Sequence, residues 1–171
     1  MSEPKKYKSH SKKSSSSKVN EGAAAYRPEP KSLASMSSQL SDGMMDEVDL
    51  LSLLKASRKG VSYNYFHKLM GRCPFTLDEW STYLHLSSRS MLRYRNDKKS
   101  FDPIQSEKIL QIALIYDEGV KVFGSAEYFD EWLGSKVISL GGLVPKSLLD
   151  NNFGITLLRD QLGRIAHGVL A

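Results

Sequence analysis

Residues 101–124, FDPIQSEKILQIALIYDEGVKVFG, contain the helix signal that most restricts the folds open to this chain. Asp102 suits the N-cap, Pro103 suits the first helical position, and Gln105 is placed as the capping-box partner. Gly124 is placed to end the helix. One face is apolar and is predicted to be buried; it holds Ile109, Ile112, Ala113, Tyr116, Val120 and Phe123. A capped helix of this length favours a mainly α fold.

Shorter helical patterns precede this segment. Residues 62–72 predict a short helix, and in residues 76–86 Thr76 and Glu79 have capping-box spacing. The apolar stripe of that second pattern is Leu77, Trp80 and Leu84. An earlier pattern has apolar residues near helical spacing at Met44, Val48, Leu51 and Leu54, and Gly60 is placed to end that helix.

Helical patterns also follow the long segment. Ser125 is placed as the N-cap of a helix, and Pro145 begins a further turn. Residues 136–140, KVISL, fit a loop or edge piece better than a strand. The inward positions are Phe129, Trp132, Leu133, Leu148 and Leu149, and then Ile155, Leu158, Leu162 and Ile165 in a last helix. No convincing alternation of apolar and polar residues indicates a strand.

The composition is that of a globular, soluble chain. Its 171 residues are 25% charged and 40% hydrophobic, enough for one ordinary domain or two small ones. No apolar run approaches the roughly 20 residues of a membrane span, and no apolar stretch follows the N-terminal lysines as in a secretory leader. Cys73 is the only cysteine, which excludes an internal disulfide. We therefore expect a cytoplasmic protein.

The excess positive charge is concentrated near the N-terminus. Residues 1–31 contain eight Lys and Arg residues against three acidic ones, whereas the other 140 residues carry 16 of each sign. Residues 1–40 are rich in Ser and Lys without apolar periodicity, so we expect a disordered arm whose deletion leaves folding unchanged. Its role stays open between a solubilising extension, a nonspecific nucleic-acid contact and a membrane-surface contact.

Residues 75–99, FTLDEWSTYLHLSSRSMLRYRNDKK, have the layout of a helix-turn-helix. The first helix is predicted to end near Leu86, and a tight turn follows at Ser87 and Ser88. The second helix is predicted to begin at about Arg89. Such a pair can place its second helix in the major groove of DNA.

The predicted second helix is locally basic. Residues 89–99 contain five basic residues and one acid, and Arg89 and Arg93 share a face because they are four apart. Met91 and Leu92 are predicted to face inward. The candidate DNA contacts are the basic and hydroxyl side chains, Ser88, Arg89, Ser90, Arg93, Arg95, Lys98 and Lys99. The alternative is that these basic residues only form a solvent-exposed face. If the helix does bind DNA, we expect a dimer, because one recognition helix buries little surface.

Patterns for catalysis or metal binding are missing from the sequence. The four histidines, His10, His67, His85 and His167, lack paired metal-ligand spacing, and one cysteine cannot build a zinc site. Neither a GxGxxG nor a P-loop pattern occurs, and the Gly141–Gly142 pair before Pro145 fits a turn. We expect no enzyme activity, no metal and no cofactor.

The C-terminal block, residues 126–171, contains an ordered set of short motifs. They are WL at 132–133, LGG at 140–142 with Pro145, LL at 148–149, Gly154, and LGRIAHGV at 162–169. In this order they resemble the toxin-binding domain of Xre/MbcA/ParS-like antitoxins. The resemblance extends upstream to about residue 61. It departs from the family at GSKVIS, residues 134–139, and in the N-terminal arm.

The resemblance implies an antitoxin of a bacterial type II toxin–antitoxin module. The toxins paired with this family have a RES-type fold and consume NAD or transfer ADP-ribose from it. Residues 41–124 would then dimerise and bind the operon's promoter as an autorepressor, and residues 125–171 would cover the toxin's active site. The expected toxin contacts are Trp132, Gly141, Gly142, Arg159, Leu162, Arg164, Ile165, His167, Gly168 and Val169, with apolar area added by Leu170.

Two other functions remain open at this stage. The chain could be a helix-turn-helix regulator whose C-terminal block only dimerises it, with Ile165 and Val169 completing its own core. An NAD-handling enzyme is disfavoured because site residues are missing. An adjacent reading frame for a RES-type protein would distinguish the antitoxin from the simple regulator.

Overall fold

The fold is built around one 21-residue helix, Pro103–Phe123. The computed structural model describes residues 47–168. In this range the helices are α1 (Glu47–Lys59), α2 (Tyr63–Met70), α3 (Leu77–Tyr83), α4 (Ser88–Asp97), α5 (Pro103–Phe123), α6 (Ala126–Gly134) and α7 (Asn152–Ala166). Two 3₁₀ segments, Ile138–Leu140 and Pro145–Asp150, lie between α6 and α7. The predicted mainly α fold is confirmed.

β pairing within the described residues consists of isolated bridges. They join Ser62 to Ser100 and Val137 to Leu143, so KVISL is an edge piece rather than a strand. No helix in residues 47–168 is both long and apolar enough to cross a membrane. The predictions for the N-terminal arm, Met44, the Val48 side chain, Val169 and Leu170 lie outside the described part of the chain.

Helix α5 is buried on more than its predicted face. Leu110, Leu114 and Ile115 are as buried as Ile109, Ile112, Ala113 and Tyr116 of the predicted face, because α1 packs along one side of α5 and α7 along another. Val120 and Phe123, also on the predicted face, are only half-buried. Pro103 opens the helix and Gly124, with φ of 80°, ends it as predicted. The predicted capping box is wrong.

The start of α5 is fixed by a buried serine instead of the capping box. Asp102 makes no side-chain cap bond, and the amide oxygen of Gln105 has no partner. The Ser106 hydroxyl accepts from the backbone N–H of Val61 at 2.8 Å and donates to the carbonyl of Phe101 at 3.1 Å. This hydroxyl ties the loop after α1 to the first turn of α5.

Helices α1 to α4 and the first half of α5 form an N-terminal unit with an aromatic core. The Phe66 ring lies 5.0 Å from both Trp80 and Phe101 in edge-on geometry, which is favourable for aromatic pairs. The predicted capping box between Thr76 and Glu79 is present at the start of α3. The Phe66 contact with Trp80 holds α3 against α2, and the capping box stabilises the start of α3.

Helix α6, the 3₁₀ segments and α7 pack on the second half of α5 as a C-terminal unit. Ser125 caps α6 as predicted, and Phe129 is fully buried. The Phe129 ring lies directly against Gly119 of α5, where a Cβ would come within 2.1 Å of the ring. The core residues of the two units form one continuous cluster.

Polar contacts also join the two units. Arg72, ahead of α3, forms an ion pair with Asp117 in the second half of α5, and the neighbouring Tyr116 of α5 donates to Asp130 of α6 at 2.8 Å, so α5 is bonded to both units. Burial raises the pKa of Asp117, and the Arg72 guanidinium offsets part of that rise. The surfaces of the two units are therefore held in a fixed relation by a shared core and by these bonds.

A third polar contact lies closer to the helix-turn-helix. Lys146, in the second 3₁₀ segment, donates to Glu79 of α3 at 2.9 Å. Partial burial alone would raise the pKa of Glu79, but the bonds from Lys146 and Thr76 lower it below its ordinary value. The same carboxylate thus completes the capping box of α3 and contacts the C-terminal unit.

Candidate nucleic-acid and protein interfaces

Helices α3 and α4 form the predicted helix-turn-helix with a slightly longer turn. Helix α3 ends at Tyr83, and His85 follows in the left-handed region with φ of 52°. The Ser87 hydroxyl accepts from the Ser90 N–H at 3.1 Å and caps α4, which begins at Ser88. The predicted helix ends are therefore corrected by one to three residues.

One side of α4 is held on the scaffold. Met91 is fully buried, and the Tyr94 ring stacks on Phe101 with centroids 4.6 Å apart. Leu92 is 40% exposed, so its predicted inward position is wrong. Met91 and Tyr94, three residues apart, take the inward face, and Leu92 is turned about 100° from Met91 toward solvent.

The outer side of α4 carries a shallow groove lined by charged and polar side chains together with Leu92. Its lining residues are Arg89, Ser90, Leu92, Arg93, Asn96 and Asp97. Arg89 and Arg93 are brought together there as the spacing predicted. Asn96 was missed by the sequence analysis, although its position three residues after Arg93 places it on the same face. Arginine and asparagine are the side chains best suited to bidentate contact with guanine and adenine.

The other predicted DNA-contact residues have different surroundings. The Ser88 hydroxyl donates to Asp78 at 3.3 Å, and the Ser90 hydroxyl lies 3.0 Å from that of Ser87. Lys99 forms an exposed ion pair with Asp97 at 3.0 Å. Arg95 is exposed outside the groove, and Lys98 caps the end of α4. Arg89 and Arg93 are therefore the two arginines of the groove.

Helix α7 has a core-facing side and an exposed side. Ile155, Leu158 and Leu162 are buried in the core. The predicted toxin contact through Leu162 is corrected, because its side chain is 0% exposed. Arg164 and His167 are exposed, as their place off the apolar stripe predicted.

The remaining predicted contacts are only partly accessible or lie in turns. Arg159 and Ile165 are half-buried, and the Nε of Arg159 is buried without a partner. Trp132 is half-buried against Phe123 and Phe129. Gly141, Gly142 and Gly168 are exposed with φ of 70°, 78° and 67°, which L side chains rarely adopt. These glycines shape turns at the surface of the C-terminal unit.

The described residues hold no cluster of three or more His, Cys, Asp or Glu side chains that could bind a metal ion. Cys73 is buried, and burial raises the pKa of its thiol to about 12. A thiol with this pKa is almost entirely protonated at neutral pH and is a poor nucleophile.

This architecture is that of a helix-turn-helix protein with a C-terminal helical unit on a shared core. Residues 52–114 match the family described as the antitoxin Xre-like helix-turn-helix domain. Residues 119–168 match the antitoxin Xre/MbcA/ParS C-terminal toxin-binding domain. The two matches meet within α5 and together cover about two thirds of the chain. The chain belongs to the Xre family of antitoxins.

Two curated relatives agree with this assignment. Antitoxin Xre of Yersinia enterocolitica is 32% identical over 87 residues, which are 50% of this chain and 59% of the relative. Antitoxin Xre of Photorhabdus laumondii is 26% identical over 104 residues, which are 56% of this chain and 70% of the relative. The chain thus spans about three fifths of the first relative's length. Both relatives bear the name of an antitoxin rather than that of an enzyme.

Proposed function

We propose that this protein neutralises a RES-type toxin by covering its active site and represses its own promoter as a homodimer in the cytoplasm. The observation that carries the proposal is the fixed pairing of two exposed surfaces on one core. One is the Arg89–Arg93 groove of α4, and the other is the end of α7 with Arg164 and His167. Toxin contacts through Trp132, Gly141, Gly142, Arg159, Ile165 and Gly168 remain part of the proposal.

The end of α7 has the chemistry to meet a nucleotide-consuming site. The Arg164 guanidinium can form paired hydrogen bonds with phosphate or carboxylate, and the His167 imidazole can hydrogen-bond polar groups. Neither side chain is needed to fill the core, since both are exposed. Both side chains are therefore accessible to a partner.

The proposal is tested by the neighbouring gene. We expect an adjacent reading frame for a RES-type protein whose expression alone stops growth, and whose co-expression with this chain restores growth. Purified together, the two proteins are expected to elute as one complex. A neighbour that is harmless alone, or that never co-elutes, would favour the alternative of a helix-turn-helix regulator without a toxin partner.

Promoter recognition is tested by two arginines of α4. We expect Arg93→Ala to cost about 1–3 kcal/mol of operator binding and to relax specificity at one position, because Arg93 lines the outer groove. Arg95→Ala is expected to weaken binding to all DNA sequences alike and to reduce the salt dependence of binding, as the loss of a phosphate contact does. Gel-shift titrations at two salt concentrations separate the two effects. Lys136→Ala, an exposed cation in the C-terminal unit, serves as the control. Unchanged affinity in both arginine variants would reject α4 as the recognition helix.

A further inference from the structure

The solvent side of α7 carries large apolar side chains that the core does not use. Phe153 is 90% exposed and Leu157 is 44% exposed. Phe153 and Leu157 are four residues apart and lie on one face of the helix. Arg164 follows seven residues after Leu157 on the same face. We call Phe153, Leu157 and Arg164 the α7 stripe.

The N-terminal end of the α7 stripe, at Phe153, borders a groove shared with α5. Phe153 and Ile104 line one groove, together with Lys108 and His85 among others. Ile104 is 79% exposed, so two large exposed apolar side chains border this groove, whose other lining residues are polar. Exposed apolar surface rimmed by polar residues is a usual mark of a protein interface.

We propose that the α7 stripe is a toxin-binding surface and that the toxin lies along the length of α7 rather than only at its C-terminal end. This inference rests on the proposed function. The whole of α7 falls within the region matched to the toxin-binding domain, and Arg164 belongs to both the stripe and the proposed active-site contact. The stripe is therefore continuous with that contact.

The dimensions and side chains of the stripe fit such a partner. From Phe153 to Arg164 the helix advances about 16 Å, enough to extend a contact well beyond the end of α7. An aromatic side chain that reaches out from a rigid helix is the type of residue that most often dominates binding energy. Arg164 at the other end supplies the charge for the active site, and Phe153 supplies an apolar anchor away from it.

The α7 stripe is tested by titrating the purified product of the adjacent reading frame into single variants. We expect Phe153→Ala to weaken binding about 30-fold and Leu157→Ala about tenfold. Melting temperatures are expected to stay near that of the unchanged chain, because both side chains are largely exposed. The matched control is Leu50→Ala, which removes an apolar side chain that is 58% exposed on α1, outside the residues matched to the toxin-binding domain. It is expected to bind like the unchanged chain.

Two results would overturn this inference without touching the proposed function. One is unchanged affinity of Phe153→Ala while loss of Arg164 and His167 still weakens binding. The other is dissociation of the antitoxin into monomers by Phe153→Ala in sedimentation, with unchanged toxin affinity, which would make the stripe a contact between copies. Failure of the unchanged chain to bind the neighbouring protein at all would overturn both proposals.

Discussion

Deletion of residues 164–171 is expected to abolish rescue of cells from the cognate toxin while promoter binding remains. Leu158 and Leu162, which anchor α7 in the core, stay in place in this variant. Among the described residues, the deletion removes the last turn of α7 and the two residues after it; in that stretch Ile165 is half-buried and the others are exposed. Terminal residues of this kind contribute little to stability. At an interface, in contrast, anchors contribute about 2 kcal/mol or more each.

The experiment compares circular dichroism melts with growth under toxin induction. Unchanged melting with lost rescue supports the proposed covering of the active site. A large loss of melting temperature would mean that Ile165 and the residues after it complete the protein's own core. Retained rescue would show that residues 164–171 are not the inhibitory segment.

A double substitution, Arg164→Ala with His167→Ala, gives the same comparison without shortening the chain. Both side chains are exposed, so melting is expected to stay unchanged and rescue to weaken strongly. Lys136→Ala, another exposed cation of the C-terminal unit, is the control and is expected to rescue fully.

Gly154→Ala is expected to have the largest effect on stability. A Cβ at this position would lie 2.0 Å from the carbonyl oxygen of Leu148, a backbone atom of the second 3₁₀ segment. The first turn of α7 must therefore move away from that segment, which should cost about 3 kcal/mol and lower the melting temperature by roughly 10 °C. Toxin rescue should fall with it, because the proposed contacts lie on α7.

Gly163→Ala is the matched control on the same helix. A Cβ there meets nothing within 4 Å, and alanine favours a helix interior over glycine by up to about 1 kcal/mol. Its melting temperature should be equal to or above that of the unchanged chain. If Gly154→Ala melts like Gly163→Ala, the close approach between α7 and Leu148 is not a constraint on the fold.

The sequence by itself determined the helices and several of their ends. Thr76 with Glu79, Ser125 and the helix-ending Gly124 all act as the pattern predicted, because a cap depends on residues within one turn of each other. Spacing also predicted the burial of Ile109, Ile112, Ala113 and Tyr116 in α5 and of Met91 in α4, but it placed Leu92 inward as well and missed Tyr94. Family motifs such as Gly154 could be recognised, but their physical reason could not.

The tertiary structure decided which faces the neighbouring elements cover. Leu92 and Leu162 are both leucines on amphipathic helices, yet Leu92 is 40% exposed and Leu162 is fully buried. Gln105 had the spacing of a capping residue, but its side-chain oxygen makes no cap bond. The start of α5 is held instead by Ser106, whose hydroxyl accepts from Val61, 45 residues earlier. Phe153 had no sequence signal of exposure. Periodicity states that a face is apolar, but burial depends on contacts between residues far apart in the chain, and only the packed structure defines those contacts.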